Sequence, residues 1–414
     1  MVAVLTACGS SAAVPEVPTP ELESIGAPSA GPCGVPTGSI AIAVSGRANS
    51  PAPSLPNQVL RIVGAAVLAS PPDGSGPVFT VHRIHGRPDT VWKNSFSSTA
   101  DPDNKPAVSE DRQIFFDSLF QAVHSVRSED GEVDVLAALS SSGRAAGPTG
   151  TVMLIDSALQ TVDPLDFTQP GLLDAATGDV VDFLRANNRL PQLMGRRVIL
   201  AGIGDTAEPQ PVLDDGRRFR VAEIWKEIAE AGGAACVEVI EETRDGAAPT
   251  GVPEVDIVPV PAPPSFDPRS QGDLVLDENT VGFVGDLDVL REPETARKVL
   301  TPVAEYLKGD PSRRILLTGT TACARTAAFR HELSEKRALA VRRVLVDELG
   351  TGSDQIDVRG VGSNFPEYQP DRGPNGQLPG LAVANRTVRL TVLKPGTPAP
   401  EAPPAASDRC RTNS

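Results

Sequence analysis

The sequence lacks a run of 18 or more apolar residues, so it predicts no helix that spans a membrane. The nearest candidate, Val59–Ala69, is short and is interrupted by Arg61, which predicts a core helix instead. Basic residues are also scarce, since 38 Lys and Arg face 53 Asp and Glu and give a net charge of −15. Such a surface repels nucleic acid and anionic lipid, so neither is expected as a partner.

Metal-binding and catalytic patterns are missing as well. The sequence has no CxxC pair, and its four histidines are scattered, at His82, His85, His124 and His331. We therefore predict no zinc site and no cofactor. Gly202–Asp205 lacks the third glycine and the lysine of a phosphate-binding loop. No nucleophile–base pair or pair of carboxylates stands in a recognisable context, so we expect no catalytic residues and no enzyme.

Proline, in contrast, is abundant, with 40 residues that cluster in three segments. These segments predict an N-terminal tether over 1–36, an extended linker over 244–270 and a disordered tail over 395–414. Two domains are left between them, at 37–243 and 271–394. The length of 414 residues is consistent with two hydrophobic cores.

The first domain alternates apolar strand patterns with amphipathic helix patterns. Buried strands are predicted over Ser39–Ser45, Thr151–Asp156 and Arg197–Gly204. Helices are predicted over Asn57–Ala69, Gln113–Val126, Val180–Leu190 and Phe219–Ala231. This alternation predicts an α/β domain with a doubly wound, mostly parallel sheet.

The second domain predicts the order β-α-β-α-β-β, with two helices on one sheet. The predicted strands are Leu274–Phe283, Arg313–Thr318, Gln355–Gly360 and Val388–Leu393. The predicted helices are Glu294–Lys308 and Arg325–Leu349. Both helix patterns place apolar residues on one stripe, as a helix packed on a sheet requires.

Four short motifs follow one another along this second domain. They are Val281–Asp286, Ile315–Ala322, Leu333–Ala338 (Leu-Ser-x-x-Arg-Ala) and Asn385–Val388. Their order and spacing resemble the OmpA-like family, which associates with peptidoglycan. The resemblance implies an α+β OmpA-like domain and a protein of the cell envelope.

The resemblance also implies a ligand site. In the family, the Asp that ends a Gly-His-Thr-Asp motif and the Arg of Leu-Ser-x-x-Arg-Ala grip diaminopimelate in the peptidoglycan stem peptide. That ligand carries an ammonium and a carboxylate, so an anion and a planar cation suit it. Arg337 matches the Arg, whereas Ala322 stands at the Asp position. Thr321, Asn385 and Arg386 complete the predicted peptidoglycan-binding set.

Two interpretations of this site stay open. Arg337 lies on the apolar stripe of its helix, so it either reaches a ligand or pairs with a buried carboxylate and stabilises the fold. With Ala322 in place of Asp, the domain either associates with peptidoglycan through half of the clamp or is a degenerate domain that serves as a protein-interaction scaffold. Cys323 could line the pocket or form a disulfide.

The first domain resembles a von Willebrand factor type A domain in the order and length of its elements. In that family the first strand ends in Asp-x-Ser-x-Ser, whose oxygens hold a divalent cation. Here the corresponding residues begin at Ser45 and include Arg47, so the leading carboxylate is missing. Asp156 and Asp205, at later strand ends, could still supply oxygens. We predict no metal at this degenerate site.

The N-terminus contains Leu5-Thr6-Ala7-Cys8, which resembles the lipobox of bacterial lipoproteins. The resemblance implies lipidation of Cys8 and an extracytoplasmic protein that is lipid-anchored to the membrane of the cell envelope. The stub before Cys8 is short and has no basic residue, so either the true start lies upstream or Cys8 is a stray cysteine.

Four other cysteines allow three pairings. Their order favours Cys33–Cys236 and Cys323–Cys410, in an oxidising compartment.

Overall fold

The computed structural model describes residues 17–28, 31–34, 36, 38–262, 264–270, 273–394, 396–403 and 409–410. The lipobox prediction at Cys8 lies outside these described residues. Within them, no helix is both long and apolar enough to cross a membrane.

A six-stranded sheet forms the centre of the first domain, in the order β3-β2-β1-β4-β5-β6. Its strands are β1 (Ile40–Val44), β2 (Val78–Arg83), β3 (Asp89–Ser95), β4 (Thr151–Ile155), β5 (Arg197–Ala201) and β6 (Cys236–Ile240). All neighbours are parallel except β2 and β3. The strand order reverses between β1 and β4, which makes their carboxyl ends the place where such sheets bind ligands. The predicted α/β class with a largely parallel sheet is confirmed.

Helices cover both faces of this sheet. They are α1 (Asn57–Ala69), α2 (Lys105–His124), α3 (Val135–Ala146), α4 (Thr177–Ala186) and α5 (Asp215–Ala231). Helices α1 and α2 bury residues such as Phe116 against one face, and α3 to α5 bury residues such as Trp225 against the other. The side chains of Asn104, Asp134 and Asp214 cap the N-termini of α2, α3 and α5.

Parts of the predicted tether and of the predicted linker lie against the first domain. Leu22 is buried, and its backbone N–H donates to Gln113 Oε1 at 2.7 Å. Val258, in the Pro-rich linker, is fully buried, and its N–H donates to Gln210 Oε1 at 2.8 Å. A disulfide joins Cys33 to Cys236, as predicted from the order of the cysteines.

The second domain has a four-stranded sheet in the order β7-β12-β8-β9. In chain order its elements are β7 (Leu274–Leu276), α6 (Glu278–Val281), α7 (Pro293–Lys308), β8 (Arg314–Gly319), α8 (Ala327–Arg343), β9 (Ile356–Gly360), the hairpin of β10 (Arg372–Gly373) and β11 (Gly376–Gln377), α9 (Pro379–Asn385) and β12 (Val388–Leu393). Helices α7 and α8 share one core with the sheet.

One predicted strand of the second domain is wrong in extent. Leu274–Phe283 forms only the three-residue β7 before the chain turns into α6. The carboxylate of Asp277 accepts hydrogen bonds from the N–H groups of Asn279 and Thr280 and so begins a helix. The predicted helix over Arg325–Leu349 is α8, which continues as a π-helical turn over Val344–Glu348.

Candidate functional site

The residues predicted to bind peptidoglycan come together at one end of the second sheet. Thr321 and Ala322 follow β8, and Asn385 and Arg386 lie at the end of α9. The hydroxyl of Thr320 donates to the carbonyl of Asn385 at 2.7 Å, which places the two segments side by side. Gly319, just before them, passes so close to α8 that a Cβ would lie 1.8 Å from the Ser334 carbonyl oxygen, so only glycine fits.

Arg337, on α8, is only 3% exposed and holds the loop that follows α6. Its Nη2 donates to the carbonyl of Gly285 at 2.6 Å and its Nε to that of Leu287 at 3.2 Å. Its guanidinium also lies 5.0 Å from the centre of the Phe283 ring. Among the described residues no carboxylate forms an ion pair with Arg337. Burial lowers the pKa of Arg337 to about 10, against the attraction of Glu278.

Ala322 is buried, and the carboxylate of another residue, Asp371, lies next to it. Ala322 is 2% exposed, and the N–H of its neighbour Cys323 donates to Asp371 Oδ2 at 2.9 Å. Asp371 also accepts from the Tyr368 hydroxyl at 2.6 Å and from Gln377 Nε2 at 2.9 Å, and it is fully buried. Asp371 therefore holds the fold. Asp371 was not predicted from the sequence, because no motif surrounds it.

Cys323 forms a disulfide with Cys410, as the order of the cysteines favoured. The bridge ties the C-terminal segment to the predicted ligand site. Thr321, on the other side of Ala322, is also buried, and its hydroxyl finds no hydrogen-bond partner within the described ranges.

Asn385 and Arg386 have different surroundings. Asn385 is fully buried, accepts from the N–H of Gln369 at 2.9 Å and donates to its carbonyl at 2.6 Å. Arg386 donates to Gln377 Oε1 at 3.0 Å and forms an ion pair with Asp179, which lies on α4 of the first domain. Burial alone would lower the pKa of Arg386, but Asp179 and Glu278 raise it above the usual value.

The degenerate cation site of the first domain lies at the switch point of the sheet. Arg47, fully buried after β1, donates from Nη2 to Asp156 Oδ1 at 3.0 Å and to the hydroxyl of Ser157. The hydroxyl of Ser45 also donates to Asp156. The guanidinium thus contacts the oxygens that a divalent cation would use. Asp205 instead pairs with Arg218 at 2.7 Å and accepts from the backbone N–H of Arg244 at 2.7 Å.

The path of the chain between Ser45 and Arg47 depends on one glycine. A Cβ on Gly46 would lie 2.0 Å from the carbonyl oxygen of Val126, so no larger residue fits there. Within the part of the chain that the structure describes, no three His, Cys, Asp or Glu side chains form a group that could hold a metal ion.

Comparison with known proteins identifies the second domain. Residues 285–375 match the family model of the OmpA family, so this domain is OmpA-like. Outer membrane porin F of Pseudomonas aeruginosa is 33% identical over 107 residues, which cover 26% of this chain and 29% of the relative. Outer membrane protein A of Bordetella avium is 32% identical over 117 residues, which cover 28% of this chain and 59% of the relative. The chain therefore spans less than two thirds of either relative.

Solved structures give partial matches. The peptidoglycan-associated lipoprotein from Burkholderia pseudomallei has 27% identity and a TM-score of 0.24, over 29% of this chain and 89% of that chain. The periplasmic domain of Helicobacter pylori MotB has 20% identity and a TM-score of 0.25, over 31% of this chain and 78% of that chain.

Proposed function

We propose that this chain is a non-catalytic protein of the cell envelope that associates with peptidoglycan through its OmpA-like domain. The match of residues 285–375 to the OmpA family carries the proposal. Arg337 supports it, because it stands on α8 at the arginine position of the family motif. A diaminopimelate stem peptide is the ligand that this position implies.

The contacts of Arg337 define what binding requires. Its guanidinium is engaged with two backbone carbonyls of the loop after α6. A ligand carboxylate would form a charge-assisted bond that is stronger than either of these neutral contacts. Binding therefore requires the loop over 285–287 to move away from the guanidinium.

A second candidate function is a protein-interaction scaffold that has lost peptidoglycan binding. The burial of the site favours it, since Thr321, Ala322 and Arg337 are each no more than 3% exposed and position 322 has no carboxylate. Under this alternative, Arg337 only stabilises the loop.

Retention of the purified full chain on diaminopimelate-type sacculi tests the two functions. We expect the parent to be retained and Arg337→Lys to be retained at least tenfold less, because an ammonium cannot form the bidentate contact. Arg343→Lys is the matched control, since Arg343 lies on the same helix, is 57% exposed and pairs with Asp288. A parent that is not retained, with retention gained by Ala322→Asp, would favour the scaffold.

We further propose that Cys8 is lipidated and that the first domain, similar to a von Willebrand factor type A domain, presents its surface to a protein partner. The doubly wound order of the first sheet supports that resemblance.

A Cys8→Ser variant expressed in its native host tests the proposed lipid anchor. The protein should move from the membrane fraction to the soluble fraction, and unchanged membrane association would contradict lipidation at Cys8.

A further inference from the structure

A cavity of about 620 Å³ lies between the two domains. The first domain contributes the start of α4, with Gly178 and Asp179, and one side of α5, with Phe219 and Arg220. The second domain contributes the loop after α6 and the residues that lead into α7. The cavity therefore exists only where the two domains meet.

Charges of both signs line this cavity. Arg220, from the first domain, lies 3.8 Å from Glu292 of the second domain. Arg291 adds a second cation and is 29% exposed at its side chain. The apolar part of the wall includes Phe219, which is 69% exposed, and Val284, which is 45% exposed. Such a lining suits a ligand that carries an ammonium and a carboxylate on a short aliphatic chain.

Three carboxylates raise the pKa of Arg386, and they differ in how exposed their side chains are. Glu278 is 3% exposed at its side chain and pairs with Arg291 at 2.8 Å. Asp371 is fully buried among its three donors. Asp179 is 30% exposed at its side chain and also lines the cavity. Of these three, Asp179 is therefore the carboxylate that a ligand can reach.

We propose that this cavity receives a zwitterionic amino-acid residue of the wall peptide, with Asp179 of the first domain supplying the acidic group that position 322 lacks. The inference rests on the proposed peptidoglycan association and adds where the ligand lies and what it contacts. The ligand ammonium contacts Asp179. Its carboxylate contacts Arg291, the start of α4 and, once the loop over 285–287 has moved, Arg337. The first domain is then part of the ligand site.

The test uses the full chain and two soluble muropeptides as probes, one with diaminopimelate and one with lysine in the stem. Lysine has the ammonium but lacks the adjacent carboxylate, so the diaminopimelate probe should bind more tightly. We expect Asp179→Asn to weaken binding of the diaminopimelate probe by about ten- to a hundredfold, because it removes a charge-assisted hydrogen bond. Asp179→Glu should restore part of the affinity.

Asp182→Asn is the matched control, because Asp182 lies on the same helix, is 78% exposed and pairs with Arg185. It should bind the diaminopimelate probe as the parent does. Equal binding by the parent and Asp179→Asn would overturn the inference and leave peptidoglycan association standing. Tighter binding by Asp179→Asn would also overturn it, since Asp179 would then be blocking the site. A parent that binds neither the probe nor sacculi would overturn both.

A second variant tests the cavity without changing a charge. A Cβ placed on Gly178 meets no atom within 4 Å, so a larger side chain can be accommodated there. Gly178→Trp should fill the cavity and abolish binding of the diaminopimelate probe, with an unchanged melting temperature. Gly178→Ala is the size control and should bind as the parent does. Parent-like binding by Gly178→Trp would place the ligand elsewhere.

Discussion

Each domain has a buried arginine at its candidate site, and the two arginines have different hydrogen-bond partners. In the first domain, Arg47 pairs with Asp156, which follows β4, and donates to the hydroxyl of Ser157, while the hydroxyl of Ser45 donates to Asp156. In the second domain, Arg337 donates to backbone carbonyls of a loop, and the nearby Arg386 pairs with an acid of the other domain. The contacts of the first arrangement all lie within one domain, whereas those of the second involve both domains.

This difference indicates where a ligand can act. Replacing the contacts of Arg47 would leave Asp156 charged and buried, which is costly. The contacts of Arg337 come from a loop that can move, so they can be exchanged for those of a ligand, whereas Arg386 pairs with Asp179 of the neighbouring domain. The buried pair of the first domain is thus structural, and under the proposed function Arg337 of the second domain takes part in binding.

The largest expected effect comes from breaking the pair in the first domain. Arg47→Met should lower the free energy of unfolding of that domain by about 3–5 kcal/mol, because Asp156 is left buried without its cation. Denaturant unfolding monitored at Trp225, which is buried in the same domain, measures it.

The control for this prediction is Arg185→Met, because Arg185 is 56% exposed at its side chain and pairs with the exposed Asp182. Arg185→Met should lower the free energy of unfolding by less than about 1 kcal/mol. A loss below about 1 kcal/mol for Arg47→Met would show that the buried pair does not differ from an exposed one.

A smaller effect is expected in the second domain. Arg337→Lys should lower its free energy of unfolding by about 1–2 kcal/mol, since one ammonium cannot serve both carbonyls of the loop. Differential scanning calorimetry should show the loss in the transition of the second domain and leave that of the first unchanged. A loss as large as that of Arg47→Met would mean that Arg337 is as structural as the buried pair.

The smallest effect concerns pH and the first domain. Burial lowers the pKa of His82 on β2 below its usual value, although Asp89 opposes this. The imidazole therefore binds a proton more readily in the unfolded chain than in the folded one. The stability that neutral His82 contributes is present above pH about 6.5 and is lost as the pH falls. His82→Gln should reduce the stability difference between pH 7.5 and pH 5.5 by about 1 kcal/mol. An unchanged difference would assign the pH dependence to other groups.

The apolar segments of the sequence were enough to predict much of the first sheet. Strands β1, β4 and β5 are fully or almost fully buried and consist mainly of apolar residues. A short apolar run in the sequence therefore predicts each of them directly. Strand β3 was not predicted, because Asp89–Ser95 is an edge strand without a buried residue. Its polar residues face solvent, and pairing with β2 alone defines it.

The candidate site was less predictable. The family motif located Arg337, but the partners of Arg337 are backbone carbonyls, and any sequence supplies those. The contact between Asp179 and Arg386 joins residues 207 positions apart in two domains, and no local pattern reports such a contact. The disulfides could be predicted because only their order along the chain was needed.

The Cys33–Cys236 disulfide determines how the molecule would carry a mechanical load. It joins the segment before β1 directly to the first residue of β6, 203 positions later, and β6 is the last strand before the linker. A pull between the N-terminal segment and the second domain passes through the sulfur atoms and then along β6. The other five strands and the five helices of the first domain lie outside the path of the force, so they would stay folded under tension for as long as the bridge is oxidised.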